Sequence, residues 1–400
     1  MMFESEISCS CEQKVHRAPL KAVEVSENAV EKVAEILKDY RRLFLVADEN
    51  TYEVAGRRVE ELLRNAGMLS HTCVLHAGAH PTDTNVGQVL IRAGIDRPIF
   101  DINQFSQLPD YILAVGSGSV NDICRIVSYR LGLEYGVVGT APSMDGYVSM
   151  VAPLIVDGKK VNYDSTTARH IIIDLNICAA APYILLQAGV GDMICKYVAL
   201  LDWRLAKRMV GEYYCEEVAG KVLQATKLCI DMAYHLKERS IESVRRTIEG
   251  LLLSGLCMAY TGTSRPASGT EHMVGQTWET MDVEEGKLPN PHGIECGEAA
   301  FMAIAMFERL YRETDDAELK ALIGEFLPLF DSVHAMQKVV QLPFTVTDKE
   351  RFVEGVLRGR TFRVRYTLLQ YLYDRGLLED YASTAFDDIM RNDYFCKYSG

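Results

Sequence analysis

Three residues of metal-ligand type stand where helix-like patterns begin: Asp192 in Gly189-Val-Gly-Asp, His272 in Ser268-Gly-Thr-Glu-His, and His292 in Pro289-Asn-Pro-His-Gly. One carboxylate and two imidazoles hold a divalent cation and leave coordination positions open, as a catalytic site requires. The spacings of 80 and 20 residues fit no zinc-finger rule. Taken singly, each residue has a plainer reading: Asp192 as a helix N-cap, each histidine as a core side chain. Only tertiary structure can bring the three together.

A second chemistry is written in glycine. The apolar run Tyr111–Val115 passes straight into Gly116-Ser117-Gly118-Ser119-Val120 and then a helical pattern. Backbone N–H groups at such a turn, with a helix N-terminus behind them, favour a phosphate. The usual G-x-G-x-x-G fingerprint is not met, so a simple tight turn stays open. Asp48, after another apolar run, is placed to accept from a ribose hydroxyl or to cap the next helix. The stretch Gly139–Ser149 offers Thr140, Ser143, Asp145 and Ser149 around Pro142 and Gly146, which turn chemistry alone also explains.

These groups need a scaffold, and the first part of the chain supplies an alternating one. Short apolar runs at Leu43–Ala47, His71–His76, Tyr111–Val115 and Gly136–Gly139 read as strands. Val59–Ala66, Val86–Ala93 and Val120–Leu131 carry helical spacing between them, as does Val30–Leu37 ahead of the first. That alternation predicts a parallel sheet covered on both faces. Leu154–Val156 and Ile171–Ile173 form a further β-prone pair around the turn Asp157–Lys160. After Asn176 only helical patterns remain. The reading is therefore an α/β domain over residues 1–175 and an all-helical domain over 176–400, with a ligand cleft between.

Composition narrows the function. The 400 residues are 48% hydrophobic with a net charge of 42 − 55 = −13, which lacks the basic footprint of a nucleic-acid binder. No uninterrupted apolar run approaches the roughly 20 residues of a membrane helix, and the first residues have no signal-peptide core. Eleven cysteines are scattered. Only Cys9 and Cys11 lie close together, a weak metal signal without a second pair, so reduced thiols in a cytoplasmic protein are expected.

The segments GSGSVND (116–122), GTAPSMDGYVS (139–149), LIVDGKKVNY (154–163), GVGDMICKYVALLDWRLA (189–206), GEYYCE (211–216), SRPASGTEH (264–272) and PHG (291–293) occur in this order. Together they resemble the iron-containing alcohol dehydrogenase, glycerol dehydrogenase and dehydroquinate synthase superfamily, and within it the sn-glycerol-1-phosphate dehydrogenases. The resemblance spans roughly residues 40–300. It implies a Rossmann-like N-terminal domain, a helical C-terminal domain, and an active site in the cleft. It implies NAD or NADP contacts at Asp48, Gly116, Ser117, Gly118, Ser119, Val120, Thr140, Ala141, Pro142, Ser143 and Ser149. A divalent metal (zinc first, nickel or iron(II) as alternatives) would be held by Asp192, His272 and His292, and these three are the implied catalytic residues. Substrate contacts fall at Asp145, Asp192 and Gln276. At the last of these the family usually carries a second histidine, and this chain reads Glu271-His272-Met-Val-Gly-Gln276. The implied reaction is hydride transfer between dihydroxyacetone phosphate and sn-glycerol 1-phosphate. Phosphate partners are sought among Lys159, Lys160, Lys196 and Arg265, and a homo-oligomer is expected. An alcohol or glycerol dehydrogenase, a non-redox synthase and a non-catalytic descendant are the rival readings.

Overall fold

A computed structural model describes residues 3–94, 108–391 and 396–397. The chain divides into two compact units. The first comprises residues 1–7, 17–142 and 146–182; the second takes 8–16, 143–145 and 183–400. The main change comes after Pro182, whereas the sequence reading places it after residue 175. The reason is local: Asp174 caps the short helix Leu175–Ala180 through its side chain, and that helix belongs with the strand it follows.

Among the described residues, ten strands precede residue 175. They are β1 (Glu6–Ser8), β2 (Val15–Arg17), β3 (Ala22–Ser26), β4 (Leu43–Asp48), β5 (Leu69–Leu75), β6 (Tyr111–Gly116), β7 (Glu134–Gly139), β8 (Val151–Val156), β9 (Lys159–Asp164) and β10 (His170–Asp174). Six of them make one sheet in the order β3-β10-β7-β6-β4-β5, every pair parallel. The continuous apolar runs in β4, β6 and β10 are buried along their whole length, as both-face coverage demands. One face is filled by a core that includes Val33, Leu37, Leu45, Val59, Leu63, Leu113 and Val138.

Two expectations need correction. Leu154–Val156 does not pair with Ile171–Ile173. It forms an antiparallel hairpin with the polar strand β9, turning at Asp157 and Gly158, whose φ values are 50° and 70°. Two consecutive positive φ values suit a tight hairpin, and they free β10 to enter the parallel sheet beside β7. Strands also recur late: Pro343–Phe344 pairs with Cys396–Lys397.

The second unit is helical. Its longest helix, Tyr183–Val210, is long and apolar enough to cross a membrane, with a mean hydropathy of 1.5 over its best window. That is a correction to the sequence reading, which finds no such stretch. Within the protein 89% of that window is buried, so the helix is apolar all round because neighbouring helices surround it.

Against it lies His292–Glu313, and the two backbones touch. A Cβ on Gly191 would strike the Gly293 carbonyl oxygen, and one on Gly297 would come within 2.9 Å of the Gly191 Cα. No side chain fits at this crossing. Gly297→Ala should therefore destabilise the protein by about 1–3 kcal/mol through overpacking, although alanine is the better helix former. Gly220, exposed in Glu216–Ala233 with nothing within 4 Å of its Cβ position, supplies the control. Gly220→Ala should stabilise by up to about 1 kcal/mol. Urea midpoints at constant slope measure both, and equal effects at the two sites would refute the crossing constraint.

Candidate functional site

In the α/β unit, Asp48, Gly116 and Gly139 end the adjacent strands β4, β6 and β7. Ligands of open parallel sheets bind beyond the carboxyl ends of such strands. Gly116 and Ser117 lead into the helix Gly118–Leu131, whose first residues include Ser119 and Val120. The Thr140 N–H donates to the Gly116 carbonyl at 3.3 Å. The buried Tyr147 hydroxyl donates to the Ala141 carbonyl at 2.7 Å and stands 3.3 Å from Ser117 Oγ. The two loops, 116–120 and 140–142, are thus bolted to each other.

Asp48 acts as the N-cap of a capping box. Its Oδ1 accepts from the Thr51 N–H at 2.7 Å and from the Thr51 hydroxyl at 2.9 Å. The Ser149 hydroxyl is engaged with its own turn, accepting from the Val151 N–H and donating to the Val151 carbonyl. Arg125, which no motif marks, is wholly buried. It donates to the carbonyls of Gly146 and Val151 and to the Tyr135 hydroxyl, holding the 146–151 segment against the helix Gly118–Leu131.

In the helical unit, Asp192 is the tenth residue of Tyr183–Val210, so it is not an N-cap. His272 is in the first turn of Thr270–Glu284, and His292 is the first residue of its helix rather than part of a preceding turn. His272 Nε2 stands 3.7 Å from Asp192 Oδ1, and the two imidazole rings are 5.2 Å apart between centroids. Two ligands of one ion at about 2.1 Å each, in tetrahedral geometry, stand about 3.4 Å apart, so the 3.7 Å separation fits a shared ion.

The nitrogens away from that point are both occupied. His272 Nδ1 lies 2.8 Å from Glu271 Oε1, and His292 Nδ1 lies 2.7 Å from Glu279 Oε1. A carboxylate behind each ring fixes Nδ1 as the protonated nitrogen and presents the Nε2 lone pair forward. Burial, with Lys196 and His292 nearby, drives His272 well below its ordinary pKa and keeps it neutral. Burial alone would raise Asp192; the ammonium of Lys196 beside it outweighs that and holds the carboxyl below the ordinary carboxylate value. The donor set therefore fits a divalent cation. Cys296, one helical turn beyond His292, adds a sulfur 3.6 Å from that ring, a neighbour the sequence did not single out.

Lys196 is not available as a phosphate partner. It is fully buried, 2.6 Å from Asp192 Oδ1 and 2.8 Å from Asp145 Oδ2. Asp145 also accepts from the Ser254 hydroxyl at 2.8 Å, and its backbone N–H donates to Asp192 Oδ2 at 2.8 Å. Arg265 is committed to Glu212. Two arginines that the reading missed converge on Ser264 instead, one of them also on Gln276. Arg363 donates to Gln276 Oε1 at 2.8 Å and to Ser264 Oγ at 3.1 Å, and Arg365 donates to Ser264 Oγ at 2.8 Å. Burial and the neighbouring Arg265 and Arg363 push Arg365 down to about 9, so an anion placed here would be strongly favoured. Both arginines lie beyond the segments that carry the resemblance, which is why no motif pointed to them. Ser143 groups with Asp145 in the helical unit.

Residues 24–182 match the iron-containing alcohol dehydrogenase family. A protein of Halalkalibacterium halodurans named glycerol-1-phosphate dehydrogenase, NAD(P)+, is 30% identical over 358 residues, covering 87% of this chain and 86% of that protein. One of the same name from Methanosarcina acetivorans is 32% identical, over 73% of this chain and 78% of its own length. Among solved structures, an iron-containing alcohol dehydrogenase of Thermotoga maritima superposes with a TM-score of 0.63 at 16% identity, over 90% of this chain and 98% of that one. That likeness concerns the fold alone.

The carboxylates behind the imidazoles give the site its own test. Glu279→Gln should weaken metal binding about 10–100-fold while leaving the fold in place, because the amide supports His292 less well. Competition against a chelator of known affinity reads the change. Unaltered affinity would show that Glu279 does not support a ligand.

Proposed function

This chain belongs to the glycerol-1-phosphate dehydrogenase family, and from that premise we propose that it interconverts dihydroxyacetone phosphate and sn-glycerol 1-phosphate with NAD(P)H. The observation that carries the reading is the carboxylate-backed His272 and His292 beside a charged, buried Asp192. A divalent ion held there supplies Lewis-acid polarisation of a carbonyl, and a nicotinamide supplies the hydride. Zinc, nickel and iron(II) all suit one carboxylate and two imidazoles.

The chain's own residues do the positioning. Lys196 neutralises part of the buried charge of Asp145 and Asp192 and fixes both carboxylates. Arg363 and Arg365 offer the guanidinium pair that a phosphate monoester requires. Gln276 has its carbonyl oxygen turned to Arg363, which leaves its amide N–H groups to donate to a substrate oxygen. The Gly116–Val120 turn takes the dinucleotide phosphates. Asp48 disfavours a 2′-phosphate, so NAD is preferred over NADP.

Arg363 also accounts for the departure at position 276. A histidine there would be neutral or charged according to pH, and an adjacent guanidinium opposes the charged form. Gln276 cannot titrate. The rate should therefore show no pH limb from this position. Gln276→His should introduce one below the ordinary imidazole value of about 6.5, because Arg363 lowers it. Superimposable kcat/KM profiles for the two forms would mean that residue 276 does not face the substrate.

Substrate class is tested by comparing dihydroxyacetone phosphate with dihydroxyacetone. The phosphate should improve kcat/KM by orders of magnitude, and Arg363→Ala with Arg365→Ala should abolish most of that preference. Equal use of both ketones would favour an alcohol dehydrogenase instead. For the cofactor, Asp48→Ser keeps a capping hydroxyl while removing the charge, and should raise NADPH use relative to NADH. An unchanged ratio would leave Asp48 as a cap alone.

A further inference from the structure

Outside the site already described, four soft-ligand side chains converge in the helical unit. Cys9, Cys11 and His16 come from the segment 8–16, and Cys215 immediately precedes the helix Glu216–Ala233. Their ligand atoms all lie within 4.8 Å of one another. Cys9 Sγ is 3.5 Å from Cys215 Sγ, while His16 Nε2 is 3.3 Å from Cys11 Sγ and 3.5 Å from Cys215 Sγ. Four ligands around one zinc, with Zn–S near 2.3 Å and Zn–N near 2.05 Å, stand about 3.8 Å apart for sulfur pairs and about 3.6 Å for sulfur–nitrogen pairs. The observed separations are close to these. They are also far longer than the roughly 2.05 Å of a disulfide bond.

The surroundings fix the ligand atoms. His16 Nδ1 is 2.9 Å from the Tyr260 carbonyl oxygen, which can only accept, so Nδ1 carries the proton. The lone pair is then on Nε2, aimed at the sulfurs. The Cys11 N–H donates to Cys9 Sγ at 3.4 Å, and the turn is closed by the Cys9 N–H to the Lys14 carbonyl and the Lys14 N–H to the Cys11 carbonyl. His16 and Cys215 are buried, so the cluster is screened from bulk solvent on one side. Three thiols and an imidazole form a set suited to zinc and complete without water or substrate.

We propose that Cys9, Cys11, His16 and Cys215 form a closed structural zinc site that clips segment 8–16 onto the helical unit, separate from the candidate site at Asp192, His272 and His292. The ligand thiols become thiolates on binding, releasing their protons to solvent.

The decisive probe is cobalt(II) in place of zinc in the full-length protein. Thiolate ligation gives an intense near-ultraviolet charge-transfer band that a carboxylate and imidazole site does not. That band should be present in the native chain, persist in His272→Ala, and disappear in the Cys9→Ser, Cys11→Ser double variant. Metal analysis of the same proteins should show a loss of about one zinc per chain in the double variant, with a lower Tm. Cys296 also lies beside His292, so Cys296→Ser supplies the control if the double variant does not fold: a band that persists in Cys296→Ser arises at Cys9, Cys11 and Cys215, and a band lost there overturns the proposal. No charge-transfer band in the native protein, an unchanged zinc content in the double variant, or a Cys9–Cys215 disulfide in non-reducing peptide maps would each overturn the proposal.

Discussion

The candidate metal site depends on two helices being allowed to touch. Gly191 and Gly293 meet backbone to backbone, with Gly297 one turn further along. The residue after Gly191 is Asp192, and the residue before Gly293 is His292. The absence of side chains at the crossing sets how far apart these two ligands can be. Interiors at crystalline density do not absorb an added methyl group without movement. A change at the crossing would therefore be felt directly as a change in ligand spacing. The segments GVGD and PHG each join a steric requirement to a chemical one.

Charge is arranged to match that geometry. Asp145 and Asp192 share a single buried ammonium, Lys196, which leaves an excess of negative charge in a place where water cannot screen it. His272 is held neutral, so it adds no competing charge. Beyond these, Glu271 and Asp202 are each raised to about 7, chiefly by burial, and both accept backbone N–H groups at the start of the helix Thr270–Glu284. They anchor the turn that carries His272. The polar residues of this region form a connected set, each fixing the next.

Much of this was legible in the sequence because it depended on local pattern. Uninterrupted apolar runs identified β4 and β6, and three-to-four spacing identified the helices Arg57–Asn65 and Gly118–Leu131. Asp192, His272 and His292 were legible as ligand types at particular positions, and their residue-by-residue resemblance to a family reinforced the choice. What escaped was whatever depended on distant partners. Arg125 reads as one more charged residue on a helix until its burial and carbonyl partners are known. Lys196 reads as a phosphate ligand until two aspartates are seen beside it. The hairpin β8–β9 was missed because its second strand is polar and exposed, with no apolar alternation to mark it. Tyr183–Val210 escaped the membrane criterion because Asp192, Lys196 and Asp202 interrupt its apolar run while its average stays high.

The division of the chain carries a consequence for how the molecule is made. Segment 8–16 leaves the ribosome well before the rest of the helical unit to which it belongs, most of which begins at Tyr183. The contact between Cys9 and Cys215 spans 206 positions. Bringing such distant residues together through a flexible chain is slow, and the entropic cost grows with loop length. Here most of the intervening chain is the compact α/β unit, and compact domains generally fold as units while synthesis continues. Once folded, that unit replaces a long floppy tether with a compact one, so the N-terminal segment waits for its partners at restricted distance. Vectorial synthesis thus favours completing the sheet before the helices. A refolding chain released all at once from denaturant lacks that order, and is exposed to pairing its early cysteines wrongly while the helical unit is unformed.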